Sequence, residues 1–145
     1  MAIRAALCLI PALWSVAVAA AGNWDFIVAS PDKQIAYYAD PKSMSVQGPI
    51  RRIRLLYDYK RPQQLPGTTV PSRSEAVLVS LDCDDRKFGE LQQTTYAQGM
   101  MEGAVVQKSP MAARVVYKDV APDSVNDKLL QYVCALKHDK GKKKK

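Results

Sequence analysis

Two cysteines constrain this chain more than any other pair of its residues. Three are encoded, Cys8, Cys83 and Cys134, but the first lies in a leader. Met1 to Ala21 carries one cation, Arg4, then an apolar run from Ala5 to Val18, and ends in Ala19-Ala20-Ala21. This is the layout of a secretory signal peptide over residues 1–21, removed on export. The apolar run is shorter than the roughly 20 residues that a spanning helix needs, and Pro11 would disturb such a helix. Cys8 leaves with the leader. Cys83 and Cys134 remain, 51 residues apart, in a chain bound for an oxidising compartment, where a pair reads first as a disulfide. Closing a loop of that size stabilises a fold by about 4 kcal/mol in the chain-entropy model. Two free thiols, or half of a metal site, are the competing readings. A metal site would need further thiolate or imidazole partners, and the one histidine is His138, near the C terminus.

Charge narrows the function classes once it is mapped. The 145 residues carry a net charge of +7, but the excess sits at one end. Of the 21 basic residues, Arg4 lies in the leader and Lys137, Lys140 and Lys142 to Lys145 follow Leu136, so residues 22–136 are close to neutral. That excludes reading the folded body as a basic nucleic-acid binder on charge alone. Residues 22–136 have the length of one domain. Residues 137–145 form a Lys-rich tail, too polar to pack and read as disordered.

Along the body, apolar periodicity predicts strands first and a helix last. Trp24 to Ala29 and Gln34 to Asp40 read as strands joined at Ser30-Pro31-Asp32-Lys33. Asp40-Pro41-Lys42-Ser43 breaks the second, and Gln47-Gly48-Pro49 leads into a third over Ile50 to Lys60. There Ile53, Leu55, Tyr57 and Tyr59 alternate with Arg52, Arg54, Asp58 and Lys60, the pattern of a half-solvated antiparallel strand. Arg61 to Arg73, with three prolines and Gly67, reads as a long loop. Ser74 to Cys83 follows, with Val77, Val79, Leu81 and Cys83 on one face. Arg86 to Tyr96, Gly103 to Lys108 and Arg114 to Val120 complete the strands. Val125 to Leu136 is helical, with Ser124 as its N-cap and Asp127 at the positive helix end. Val125, Leu129, Leu130, Val133 and Cys134 form its apolar stripe. Five to seven strands and then one helix make an α+β fold with a mainly antiparallel sheet. The simplest arrangement lays the helix across the sheet with Cys134 bonded to Cys83.

Catalytic patterns are sparse. Residues 22–136 hold no histidine, which removes the commonest general base and the partner of a Ser-His or Cys-His nucleophile. Phosphate-binding and nucleophile-elbow glycine motifs are missing from the sequence. Asp82, Asp84 and Asp85 form the densest acidic cluster, read as a solvated strand end beside Arg86 and Lys87 because nothing nearby supplies the further oxygens of a calcium site. No metal, cofactor or enzymatic activity is expected. The candidate binding residues are basic: Arg51, Arg52, Arg54, Lys60 and Arg61 in the body, and Lys142, Lys143, Lys144 and Lys145 in the tail. They suit polyanions or acidic protein surfaces without base-specific nucleic-acid recognition.

Short motifs in a fixed order carry a family resemblance. Trp24-x-x-Ile27-Val28 is followed by Tyr38-Ala39-Asp40-Pro41-Lys42-Ser43-Met44 and Arg54-Leu55-Leu56-Tyr57-Asp58-Tyr59. Leu81-Asp82-Cys83, Arg86-Lys87, Tyr96 and Met100 to Val106 come next. Val120-Ala121-Pro122-Asp123-Ser124 and Tyr132-Val133-Cys134 close the series. Together they resemble the surface-adhesin protein E-like family of Gram-negative bacteria over Trp24 to Cys134. The resemblance implies a small antiparallel sheet with a C-terminal helix tied on by a disulfide, and adhesive binding of host proteins. The expected function is that of an exported, non-enzymatic envelope protein, an adhesin-like binder of host or envelope proteins or polyanions at the cell surface or secreted. The alternative is a periplasmic structural or accessory protein that binds peptidoglycan or partner proteins.

Overall fold

The structure, a computed structural model, describes residues 22–137. The expected leader, residues 1–21, and residues 138–145 of the expected Lys-rich tail lie outside the described residues. Seven strands and one helix follow the expected order: β1 (Asp25–Ala29), β2 (Ile35–Gln47), β3 (Ile50–Gln63), β4 (Ser72–Asp82), β5 (Lys87–Tyr96), β6 (Val105–Lys108), β7 (Lys118–Asp119) and α1 (Val125–Ala135). The first six pair antiparallel in chain order, and β7 joins β5.

Three boundaries depart from the sequence reading, each for a local reason. Asp40-Pro41-Lys42-Ser43 does not end β2; the strand runs on through an irregularity between Asp40 and Ser45. Pro41 has no N–H for the ladder, so side chains close the gap. The Ser43 hydroxyl accepts from the Arg54 N–H at 2.9 Å and donates to the Asp40 carbonyl at 2.7 Å. The loop after β3 is shorter than Arg61 to Arg73, because β3 continues to Gln63 and β4 resumes at Ser72. The strand expected over Arg114 to Val120 shrinks to Lys118–Asp119. Residues 109–117 instead fold over β5. The Ser109 N–H donates to the Gln93 carbonyl at 2.9 Å and the Ala112 N–H to the Leu91 carbonyl at 2.8 Å. Gly89 permits this: a Cβ there would collide with the Val115 side chain and lie 2.9 Å from the Val116 carbonyl oxygen.

One sheet face carries the main core. Ile53 and Leu55 of β3, Val77, Val79 and Leu81 of β4, and Phe88 of β5 pack with Leu129, Leu130 and Val133 of α1. The helix is fixed at three places. At its start the Ser124 hydroxyl accepts from the Asp127 N–H at 3.1 Å. The buried Asp127 carboxylate then accepts from Arg86 and, at 2.9 Å, from the Asp123 N–H. Near its end Tyr132 donates to Asp25 of β1 at 2.6 Å, which lifts the Tyr132 phenol to about 12, chiefly through burial and then through that carboxylate. Cys134 is bonded to Cys83 across a Cα–Cα distance of 5.8 Å. Among the described residues no helix is long and apolar enough to cross a membrane.

Candidate functional site

The candidate functional surface lies on the sheet face away from α1. Strand alternation sends Arg52, Arg54 and Leu56 to that side while Ile53 and Leu55 enter the helix-covered core. Over β4 and β5 the face is roofed by residues 109–117, and the Ser80 and Tyr117 hydroxyls meet there at 2.8 Å. Over β1 and β2 and at Arg52 and Arg54 of β3 it is more exposed, whereas farther along β3 Leu56 is buried and Asp58 accepts from the Met100 N–H at 2.8 Å. Phe26, 57% exposed, meets Tyr38 edge to face with ring centroids 5.6 Å apart. Beside them the Arg54 guanidinium lies 6.0 Å from the Trp24 ring centroid and pairs with Asp40 at 2.6 Å. Asp40 is buried, so this pair fixes the Arg54 head beside the aromatic strip. Exposed Arg52 has no ion-pair partner among the described residues.

The basic residues singled out in the sequence do not form one patch. Arg51 alternates away from Arg52 and Arg54 and turns back onto its own turn, donating to the Gly48 carbonyl at 2.7 Å. Lys60 and Arg61 are exposed at the far end of β3, about 20 Å from Arg54 at the rise of an extended strand. Lys142 to Lys145 lie outside the described residues. Trp24, Phe26 and Tyr38 are not among the candidate binding residues of the sequence, although Trp24 and Tyr38 belong to its family motifs. The signal for two of them is the i, i+2 spacing of Phe26 in β1 and Trp24 just before it, which in extended backbone places both on one face. The acidic cluster closes a turn: Asp82 Oδ1 accepts from the Asp84 and Asp85 N–H groups at 3.1 and 3.0 Å. No group of three or more metal-ligating side chains occurs among the described residues.

A second feature lies on the helix side, beyond the helix. Tyr37 and Tyr57 meet edge to face at 4.9 Å, and Tyr59 donates to Glu75 at 2.8 Å. Burial pushes the Glu75 carboxyl above its ordinary range; the Tyr59 hydrogen bond opposes that shift and the charge of Glu90 adds to it. Burial, with Glu75 next, raises Tyr59 as well. A carboxyl with a raised folded pKa contributes stability that is fully present below the unfolded value and is lost as pH rises through the folded one. Glu75→Gln should therefore raise the melting temperature more at about pH 7.5 than at about pH 4. Paired thermal melts showing the same difference at both values would contradict this account of Glu75.

The model of the surface-adhesin protein E family matches residues 24–135. The chain belongs to this family. Two crystal structures of Haemophilus influenzae protein E superpose with TM-scores of 0.59 and 0.58, each at 18% identity and covering 76% of this chain, with 87% and 83% of the other chain matched. A structure of protein E from non-typeable Haemophilus influenzae gives a TM-score of 0.56 at the same identity. At that identity the likeness is one of fold. A search of curated proteins found no match. In this surface-adhesin protein E chain the sheet, the C-terminal helix and the disulfide all stand as the sequence resemblance implied.

Proposed function

We propose that this protein is exported, non-enzymatic and adhesin-like, binding a protein or polyanionic ligand through the exposed part of the sheet face around Phe26, Tyr38 and Arg54. The observation that carries this reading is the strip of Trp24, Phe26 and Tyr38 beside Arg52 and Arg54. Large aromatics and arginines are the residues that anchor protein interfaces, and here one of each is held ready by a neighbour: Tyr38 by Phe26 and Arg54 by buried Asp40. Membership of the surface-adhesin protein E family supports the same reading. The Lys-rich tail adds a salt-sensitive, unspecific attraction to polyanions.

Phe26→Ser should weaken binding of the mature protein to immobilised extracellular-matrix extract by about thirtyfold, the scale of an interface anchor. Phe26 is exposed, so its melting temperature should hold. Undiminished binding would remove the strip from the site. Deleting Lys137 to Lys145 should lower the salt at which the protein elutes from heparin and leave its melting temperature unchanged. Retention that survives the deletion would move polyanion binding to Arg52, Lys60 and Arg61. Antibody labelling of intact and lysed cells separates the two locations, since signal from lysed cells alone fits the periplasmic accessory role.

A further inference from the structure

The roofed half of the same face contains a cleft of about 640 Å³, a volume in the range of small-molecule sites. It lies between β4–β5 and residues 111–117, with Leu78 and the nearly buried Leu91 from the sheet and Met111 and Tyr117 from the covering segment. Two arginines, Arg52 and Arg114, line it, and no carboxylate does. Among the described residues neither guanidinium is engaged by a hydrogen bond or an ion pair, whereas that of the nearby Arg54 is held by Asp40. Tyr117 is turned to Ser80, which leaves the two guanidinium groups as the charged features of the lining.

Apolar walls favour a ligand that removes hydrocarbon from water. Two unpaired guanidinium groups with no acid among them favour an anionic head, which each can bind through a planar fork of donors. We propose that this cleft binds a free, monomeric anionic amphiphile: one apolar chain headed by a carboxylate or phosphate, the head at Arg52 and Arg114 and the chain between Leu91 and Met111. The cleft shares Arg52 with the aromatic strip but none of its aromatic residues, and the proposal does not rest on that strip.

Calorimetric titration of the mature protein with dodecanoate, kept below its micelle concentration, tests it. Saturable one-to-one binding is expected, with dodecyltrimethylammonium binding weakly or not at all. Arg52→Ala and Arg114→Ala should each weaken dodecanoate binding by about ten- to a hundredfold, the worth of a charge-assisted hydrogen bond. Phe26→Ser should leave it unchanged. Both arginines and Met111 are exposed, so melting temperatures should confirm intact folding. Met111→Asp places a carboxylate in the wall and should also reduce binding. No saturable binding, equal binding of the cationic amphiphile, or indifference to both arginine substitutions would overturn the proposal. So would flotation with anionic phospholipid vesicles when dodecanoate fails to bind, because that outcome assigns the arginines to a membrane surface.

Discussion

Cys134→Ser should destabilise the protein by about 2–5 kcal/mol, the usual cost of removing a native disulfide from a small exported domain. The Cys83–Cys134 bond closes a 51-residue loop spanning β5, β6, β7, the covering segment and nearly all of α1. Cutting it frees the end of the helix that meets β1, while the capped start, with Ser124, Asp127 and Arg86, keeps its contacts. The loss should therefore appear in reversible chemical denaturation and also as faster amide exchange in the last turns of α1 than at Asp127. Dithiothreitol should reproduce the effect in the wild type and add nothing to the variant. Equal denaturation midpoints for oxidised and reduced protein would show that packing alone holds the helix.

Leu56→Ala should cost about as much, roughly 2–5 kcal/mol for a fully buried leucine. The expectation is specific because Leu56 sits on the face opposite the helix, paired with Tyr38 and Ala76 on the neighbouring strands. The alternation of β3 assigns that face to Arg52, Arg54, Asp58 and Lys60 and so to water, where a substitution costs within about 0.5 kcal/mol. Leu56 is nonetheless 0% exposed. Urea denaturation separates the two: a midpoint close to wild type would mean this side of the sheet contributes no core.

The sequence carried the helix-side half of the fold because its signals are local and periodic. Val77, Val79 and Leu81 mark one face of β4, Leu129, Leu130 and Val133 mark α1, and Ser124 and Asp127 mark the helix start. The two cysteines lie on the faces that meet. The other half depends on contacts between distant segments. Arg114 to Val120 reads as a strand, yet residues 109–117 turn over β5, where Gly89 presents no side chain to stop them, a condition set some twenty residues earlier. Pro41 reads as a breaker until the Ser43 hydroxyl is seen to bridge the Arg54 N–H and the Asp40 carbonyl. The site was legible to a similar degree. Arg52 and Arg54 were visible as cations, but the division of the basic residues between two faces follows from strand register. The pairing of Arg54 with Asp40 needs β2 and β3 side by side, and the aromatic strip needs β1 beside β2.

The arrangement around β5 bears on how such a molecule behaves when crowded. β6 pairs with one end of this strand, β7 with the other, and the amides of Ser109 and Ala112 take the carbonyls of Gln93 and Leu91 between them. Another chain that tried to extend the sheet on this flank would meet few vacant amides. On the opposite flank β1 is five residues long and its register slips between Phe26 and Val28, a short and uneven template. Both margins thus offer a poor template for the addition of a further strand.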